Sequence, residues 1–136
     1  MGVWGPGNFD GDSPRDFLAD MVWRWEKIID KVFAGQVPDE AAHFEFEPGL
    51  DWGESCLIPT VEILLAVAEK LPCDYLPGSS TVSRWSERYL GLYDREIDSW
   101  EPSPGYKEER RQVIVETFTR LLRLVESRSE DGPDDV

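Results

Sequence analysis

Apolar positions recur at helical spacing in four stretches of this chain, and one of the four is apolar nearly all round. From Leu57 to Leu71 the sequence reads LIPTVEILLAVAEKL, and after Thr60 only Glu62, Glu69 and Lys70 are polar. A helix of this kind belongs in the middle of a fold, with other elements packed on every side. It is shorter than the about 20 apolar residues that span a bilayer. The helix is expected to start near Ser55 to Thr60, with Pro59 in its first turn and Pro72 after its end. An earlier start would make Pro59 a bend. Leu64, Leu65, Val67 and Ala68 are the expected heart of the core.

Three amphipathic stretches complete the pattern. Phe17, Leu18, Met21, Val22, Trp25, Ile28, Ile29, Val32 and Phe33 share one face of a first helix. Ser13 is its expected N-cap, Pro14 suits its first position, and Gly35 and Pro38 end it. Trp23 falls off that face and is expected to pack beneath the N-terminal residues, the alternative being an exposed contact. Ser79 or Ser80 is the expected cap of the next helix, which buries Val82, Trp85, Tyr89, Leu90, Tyr93 and Ile97 on one face. After the break EPSPG, the last helix runs from Tyr106 to Ser127 and buries Ile114, Val115, Phe118, Leu121, Leu122 and Val125. The expected fold is all-α: a compact bundle of about four main helices around a central apolar helix. Residues 1–128 form one domain, with an irregular N-terminal arm over 1–12 and a disordered acidic tail over 129–136.

Charge narrows the functional classes. With 14 bases against 28 acids, the formal net charge is -14. That balance argues against a nucleic-acid partner, which needs a basic footprint, and against an anionic membrane surface. Six of the bases (Lys107, Arg110, Arg111, Arg120, Arg123 and Arg128) fall on the last helix, where they are expected to pair with acids of the same chain. Cys56 and Cys73 read as buried thiols, too few for a disulfide framework. No signal peptide or transmembrane run is read, and Pro6 stands where a myristoylation site needs Ser or Thr. The expected location is cytoplasmic.

The most unusual segment is VPDEAAHFEFEPGLDWGES. From Val32 to Glu69 there is no lysine or arginine, and Phe44, Phe46 and Trp52 are interleaved with acids. An extended backbone would turn the rings one way and the carboxylates of Glu45 and Glu47 the other. One outcome is a loop whose rings plug the core. The other is a binding surface of Phe44, Glu45, Phe46, Glu47, Asp51, Trp52 and Glu54, whose partner would be a basic protein. No metal or cofactor is expected. His43 lacks companions at a zinc spacing, and Asp10 with Asp12 runs straight into a helix instead of an EF-hand loop.

The opening MGVWGPGNFDGD combines four glycines with the large apolar residues Trp4 and Phe9, which are expected to pin a turning arm onto the helices. This opening resembles the start of the bacterial family known as domain of unknown function 4259, through Gly2, Trp4, Gly5, Gly7, Phe9 and Asp12. The central apolar helix lies where that family carries an Ala-rich one. The resemblance implies a small α-helical bacterial protein, brings no catalytic residues, and makes the signature positions structural. A loose association of such small acidic families with toxin neutralisation is analogy.

No nucleophile elbow, zinc motif or phosphate loop is present, and acid pairs one helical turn apart, such as Asp16 with Asp20, usually mark a solvated face. The leading expectation is a non-catalytic protein-binding module, with an immunity-type neutraliser of a basic toxin domain as its narrower form. The alternatives are a carboxylate-based hydrolase and a structural subunit. Oligomeric state is left open by the sequence.

Overall fold

The computed structural model describes residues 5–130, and among these it is all-helical, with no β-strand. Helix α1 spans Asp12–Phe33, a 3-10 turn covers Asp39–Ala41, and α2 (Leu50–Trp52) leads through a π turn (Gly53–Leu57) into α3 (Ile58–Lys70). Then come α4 (Ser79–Glu96), a 3-10 turn (Ile97–Trp100) and α5 (Tyr106–Glu130). Helix α3 packs against both α1 and α5, and α5 also packs along α4, so the four longer helices close round a shared core. Val61, Leu64 and Leu65 of α3 are fully buried, facing Val22 and Ile29 of α1 and Ile114, Phe118 and Leu121 of α5.

The central helix is less enclosed than its composition implies. Ile63 is 48% exposed, and Glu62, Ala66, Glu69 and Lys70 also face outward. Val67 is half-buried, unlike Leu64, Leu65 and Ala68. Four helices leave one flank of α3 uncovered, the flank that carries Glu62, Glu69 and Lys70, and Ile63 and Ala66 are exposed beside them. On the other helices Leu90, Val115 and Leu122 are half-buried too, and Phe17 is 67% exposed.

Pro59 explains the unusual turn. The helical path starts at Leu50, well before the proline, and α2, the π turn and α3 follow one another without a break. Proline lacks an N–H, and its ring crowds the carbonyl four residues back. The wider turn over Gly53–Leu57 relieves that crowding, so the chain passes through Pro59 rather than starting at it. Thr60 Oγ1 donates to the Cys56 carbonyl at 2.7 Å, which satisfies one acceptor in the disturbed ladder.

The other boundaries follow local chemistry, with some shifts. Helix α1 ends in a Schellman motif: Gln36 N–H donates to Lys31 O at 2.9 Å and Gly35 N–H to Val32 O at 3.0 Å, with Gly35 at φ +75. Leu71, held extended by the following Pro72, ends α3. The starts lie earlier than the expected serine caps: Gly11 precedes α1 and Gly78 precedes α4, neither with a side-chain cap. Pro14 then sits in the third position of α1, still within the turn whose N–H groups lack intrahelical partners. Helix α5 runs on through Ser129 and Glu130, two residues into the expected tail; Gly132 and Pro133 are the first breakers there.

Of the arm, Gly5 onward is described. Asp10 N–H donates to Gly7 O at 3.1 Å, and the Asp10 carboxylate accepts from Gly7 N–H at 2.7 Å. Phe9 packs onto the core as an anchor, and Arg15 Nε donates to Asp74 at 3.0 Å just behind it. Gly2 and Trp4 lie outside the described residues. Trp23 is 47% exposed, with Lys27 Nζ 5.3 Å from its ring centre.

Candidate interaction surface

After Pro38 enters the 3-10 turn, the chain runs irregularly from Phe44 to Glu47 before α2 begins. In this extended stretch side chains two apart share a side. Phe44 and Phe46 accordingly stack on one another, with ring centres 5.0 Å apart and planes at 11°. His43 lies against Phe44 at 4.1 Å, and Phe46 meets the edge of Trp52 from α2 at 4.9 Å and 85°. The four rings make a continuous ladder. They do not plug the core: Phe44 is 48% exposed, Phe46 and Trp52 are half-buried, and the core cluster is built without them.

Beside the ladder lies a groove of about 260 Å³. Phe46, Pro48 and Trp52 form one side, and Val32, Val37 and the Gly35 turn form the other. Val37 is 52% exposed. Glu45 and Glu47 are exposed along the same stretch, so apolar surface and carboxylates alternate within a few residues.

The remaining acids of the expected surface have other work. Asp51 accepts from Glu47 N–H at 2.7 Å and from Ser55 Oγ at 3.2 Å, which fixes the loop against the helix. Glu54 is turned inward by the π turn, and only 11% of its side chain is exposed. It accepts from Arg110 Nε at 2.7 Å, from Arg110 Nη2 at 3.2 Å, and from the Tyr89 hydroxyl. Gly53 makes this approach possible, because a Cβ there would lie 2.6 Å from the Tyr89 ring. Burial, and next the bond to Glu54, push the Tyr89 hydroxyl far above its ordinary value. Burial opposes the charge on Arg110, but the hydrogen bond and field of Glu54 outweigh it and leave that group raised. Glu54, Tyr89 and Arg110 thus clamp the π turn to α4 and α5. They are not a contact surface.

Most of the bases on α5 are similarly engaged. Arg111 forks onto Asp94 with two 2.9 Å bonds, Arg120 reaches Glu69, Lys107 reaches Asp98, and Arg128 donates to the carbonyls of Ala68 and Cys73. Each joins α5 to a neighbouring segment. Their partners come from segments as distant in sequence as Glu54 and Glu69, which spacing along the chain does not reveal.

The ladder offers recognition chemistry more readily than catalysis. Among the described residues there is no group of three or more His, Cys, Asp or Glu able to hold a metal. Burial raises both the Cys56 and Cys73 thiols, which keeps them protonated and poorly nucleophilic near neutral pH. Asp20 accepts from Arg24 Nε at 2.8 Å on the exposed side of α1. Sequence reasoning missed the contributions of Val37 and Pro48, whose apolar side chains flank the acidic run without any periodic signal. No helix among the described residues is long and apolar enough to cross a membrane. No family model matches the chain, and neither a curated protein nor a solved structure gives a match.

Proposed function

We propose that this protein is a non-catalytic binding module whose His43–Trp52 ladder docks a basic protein partner. The observation that carries the reading is the stack of rings outside the core, with Phe44 48% exposed and Glu45 and Glu47 beside it. Exposed apolar surface of this kind costs solubility unless something covers it. The segment from Val32 to Glu69 holds no lysine or arginine, so the exposed Glu45 and Glu47 favour a covering partner that supplies positive charge. Aromatic anchors at the centre and carboxylates at the rim are the usual anatomy of such an interface. A basic toxin domain neutralised in the cytoplasm is the narrower form of the proposal. Kinship with the family whose opening this chain resembles belongs to it too, resting on Gly5, Gly7, Phe9 and Asp12 among the described residues.

The test is selective capture. The intact protein and two variants, Phe44→Ala and the double Glu45→Gln/Glu47→Gln, are immobilised and exposed to extract from the native host. These positions lie outside the core, so melting curves should match the parent. The proposal expects a basic protein held by the parent and lost from both variants. Retention by all three, or retention only of acidic or neutral proteins, contradicts it.

A further inference from the structure

Helix α1 presents a second, separate surface on the side away from the core. Asp16, Asp20, Trp23, Arg24, Lys27 and Lys31 fall within one stripe at helical spacing, opposite the buried Leu18, Val22 and Ile29. The stripe is polarised: its acids lie in the N-terminal half and its bases in the C-terminal half. It holds three bases against two acids, in a chain where acids outnumber bases two to one.

Shape is polarised in the same sense. Next to the acidic half stands Phe17, 67% exposed and the most exposed of the large hydrophobic side chains among the described residues. Next to the basic half lies a groove of about 530 Å³, in which Arg24, Lys27 and Lys31 are balanced by Asp30, Asp39 and Glu40 around the apolar surface of Trp23, Ile28 and Ala34. One end of α1 therefore carries an apolar projection with negative charge. The other carries a partly apolar hollow of balanced charge, with Lys27 and Lys31 on its α1 edge.

We propose that α1 pairs with α1 of a second copy of this chain, antiparallel about a two-fold axis passing between Trp23 and Arg24. In that register Asp16 of each copy meets Lys31 of the other, Asp20 meets Lys27, and Trp23 meets Arg24 as a ring–guanidinium contact. Phe17 of each copy enters the groove of the other. A surface whose two halves complement one another in both charge and shape is what an isologous contact requires, and a two-fold axis satisfies both halves at once. A parallel pairing would set Asp16 against Asp16 and Lys31 against Lys31. A net charge of -14 makes two copies repel overall, and this stripe carries no net negative charge of its own.

The intrachain contacts leave the outer pairs available. Asp20 holds Arg24 at 2.8 Å and Lys27 lies 3.7 Å from Asp30, but among the described residues neither Asp16 nor Lys31 makes an ion pair. From Asp16 to Lys31 the stripe is about 22 Å long at ~1.5 Å per residue. Such a contact belongs with small interfaces, below about 1,200 Å².

Sedimentation equilibrium on the full chain near neutral pH tests the pairing, over roughly 1 to 500 µM, a range suited to interfaces of that size. The mass should rise from the 15.6 kDa of one chain toward twice that value. Asp16→Lys alone and Lys31→Asp alone should each weaken association by about 10-fold or more, since like charges then face one another twice per dimer. The double variant Asp16→Lys/Lys31→Asp restores opposite charges and should recover the parent's association. Phe17→Ala should weaken it by about 10-fold or more through loss of two anchors. All three positions are helical and none is in the core, so circular dichroism should show an unchanged fold. A monomer at every concentration overturns the proposal. So does a dimer indifferent to Phe17→Ala, or a double variant that fails to recover.

Discussion

Glu54→Gln separates a structural acid from a contact acid. Both Glu54 oxygens are engaged, by the Tyr89 hydroxyl and by two nitrogens of Arg110, and the side chain is 11% exposed. Glutamine keeps the shape but offers one acceptor, and its amide turns a donor toward other donors. Arg110 then loses its counter-ion in a setting where its own side chain is 21% exposed. Breaking a fully buried pair costs about 3–5 kcal/mol. Water reaches Arg110 in part and softens the loss, so about 2–3 kcal/mol is expected, near the upper end for hydrogen bonds to charged groups. At ~2.1 cal/mol/K per residue of unfolding entropy, that lowers Tm by about 7–10 °C. Calorimetry and urea titration at pH 7 measure it. Glu45→Gln, on an exposed carboxylate, should leave Tm nearly unchanged under the same conditions. A Glu54→Gln protein that melts with the parent would refute the clamp and return Glu54 to the contact surface.

Further outcomes follow from the core and its polar ties. Leu64→Ala opens a cavity at a fully buried position and should cost about 2–5 kcal/mol in denaturant titration, whereas Ile63→Ser on the open flank of α3 should cost little. Gly53→Ala places a methyl group 2.6 Å from the Tyr89 ring, so an overpacking cost of about 1–3 kcal/mol should outweigh the about 0.5–1 kcal/mol gained in helix propensity, and the variant should be the less stable. Burial, and then the bond to Glu26, push the Tyr75 hydroxyl up to about 12, and Tyr89 is also raised. The folded state therefore keeps phenol protons that the unfolded chain releases near pH 10. Their stabilisation is complete below that pH and is lost as pH rises toward 12. Melting curves through that window should fall more steeply for the parent than for Tyr75→Phe.

How legible the fold was depends on which residues carried the signal. Gly35 and Pro72 end their helices where sequence places those ends, because their backbone constraints are local. The apolar faces of α1, α4 and α5 place most of their core residues correctly for the same reason: periodicity is a property of each helix alone. The exposure of Ile63 and Phe17 is not local, since it depends on how many neighbours arrive at a given face. Glu54 was the least legible. Its role is set by a π turn that only the conflict between Pro59 and an earlier helix start hints at, and by Tyr89 and Arg110, 35 and 56 positions away. The alternation HFEFE did foretell that Phe44 and Phe46 share a side, but not that the shared side faces away from the core.

The central claim is that the ring ladder and its two exposed carboxylates hold a basic protein. It is tested most directly by the binding kinetics of the captured partner, purified, against the parent, Phe44→Ala and Glu45→Gln/Glu47→Gln. Losing two exposed carboxylates should slow association several-fold at low salt, with the difference shrinking as salt screens charges beyond about 8 Å at physiological ionic strength. Losing the Phe44 ring should leave association nearly intact and speed dissociation by about 10-fold or more. Rates unchanged in both variants, with both melting like the parent, would place the partner on some other face and contradict the account.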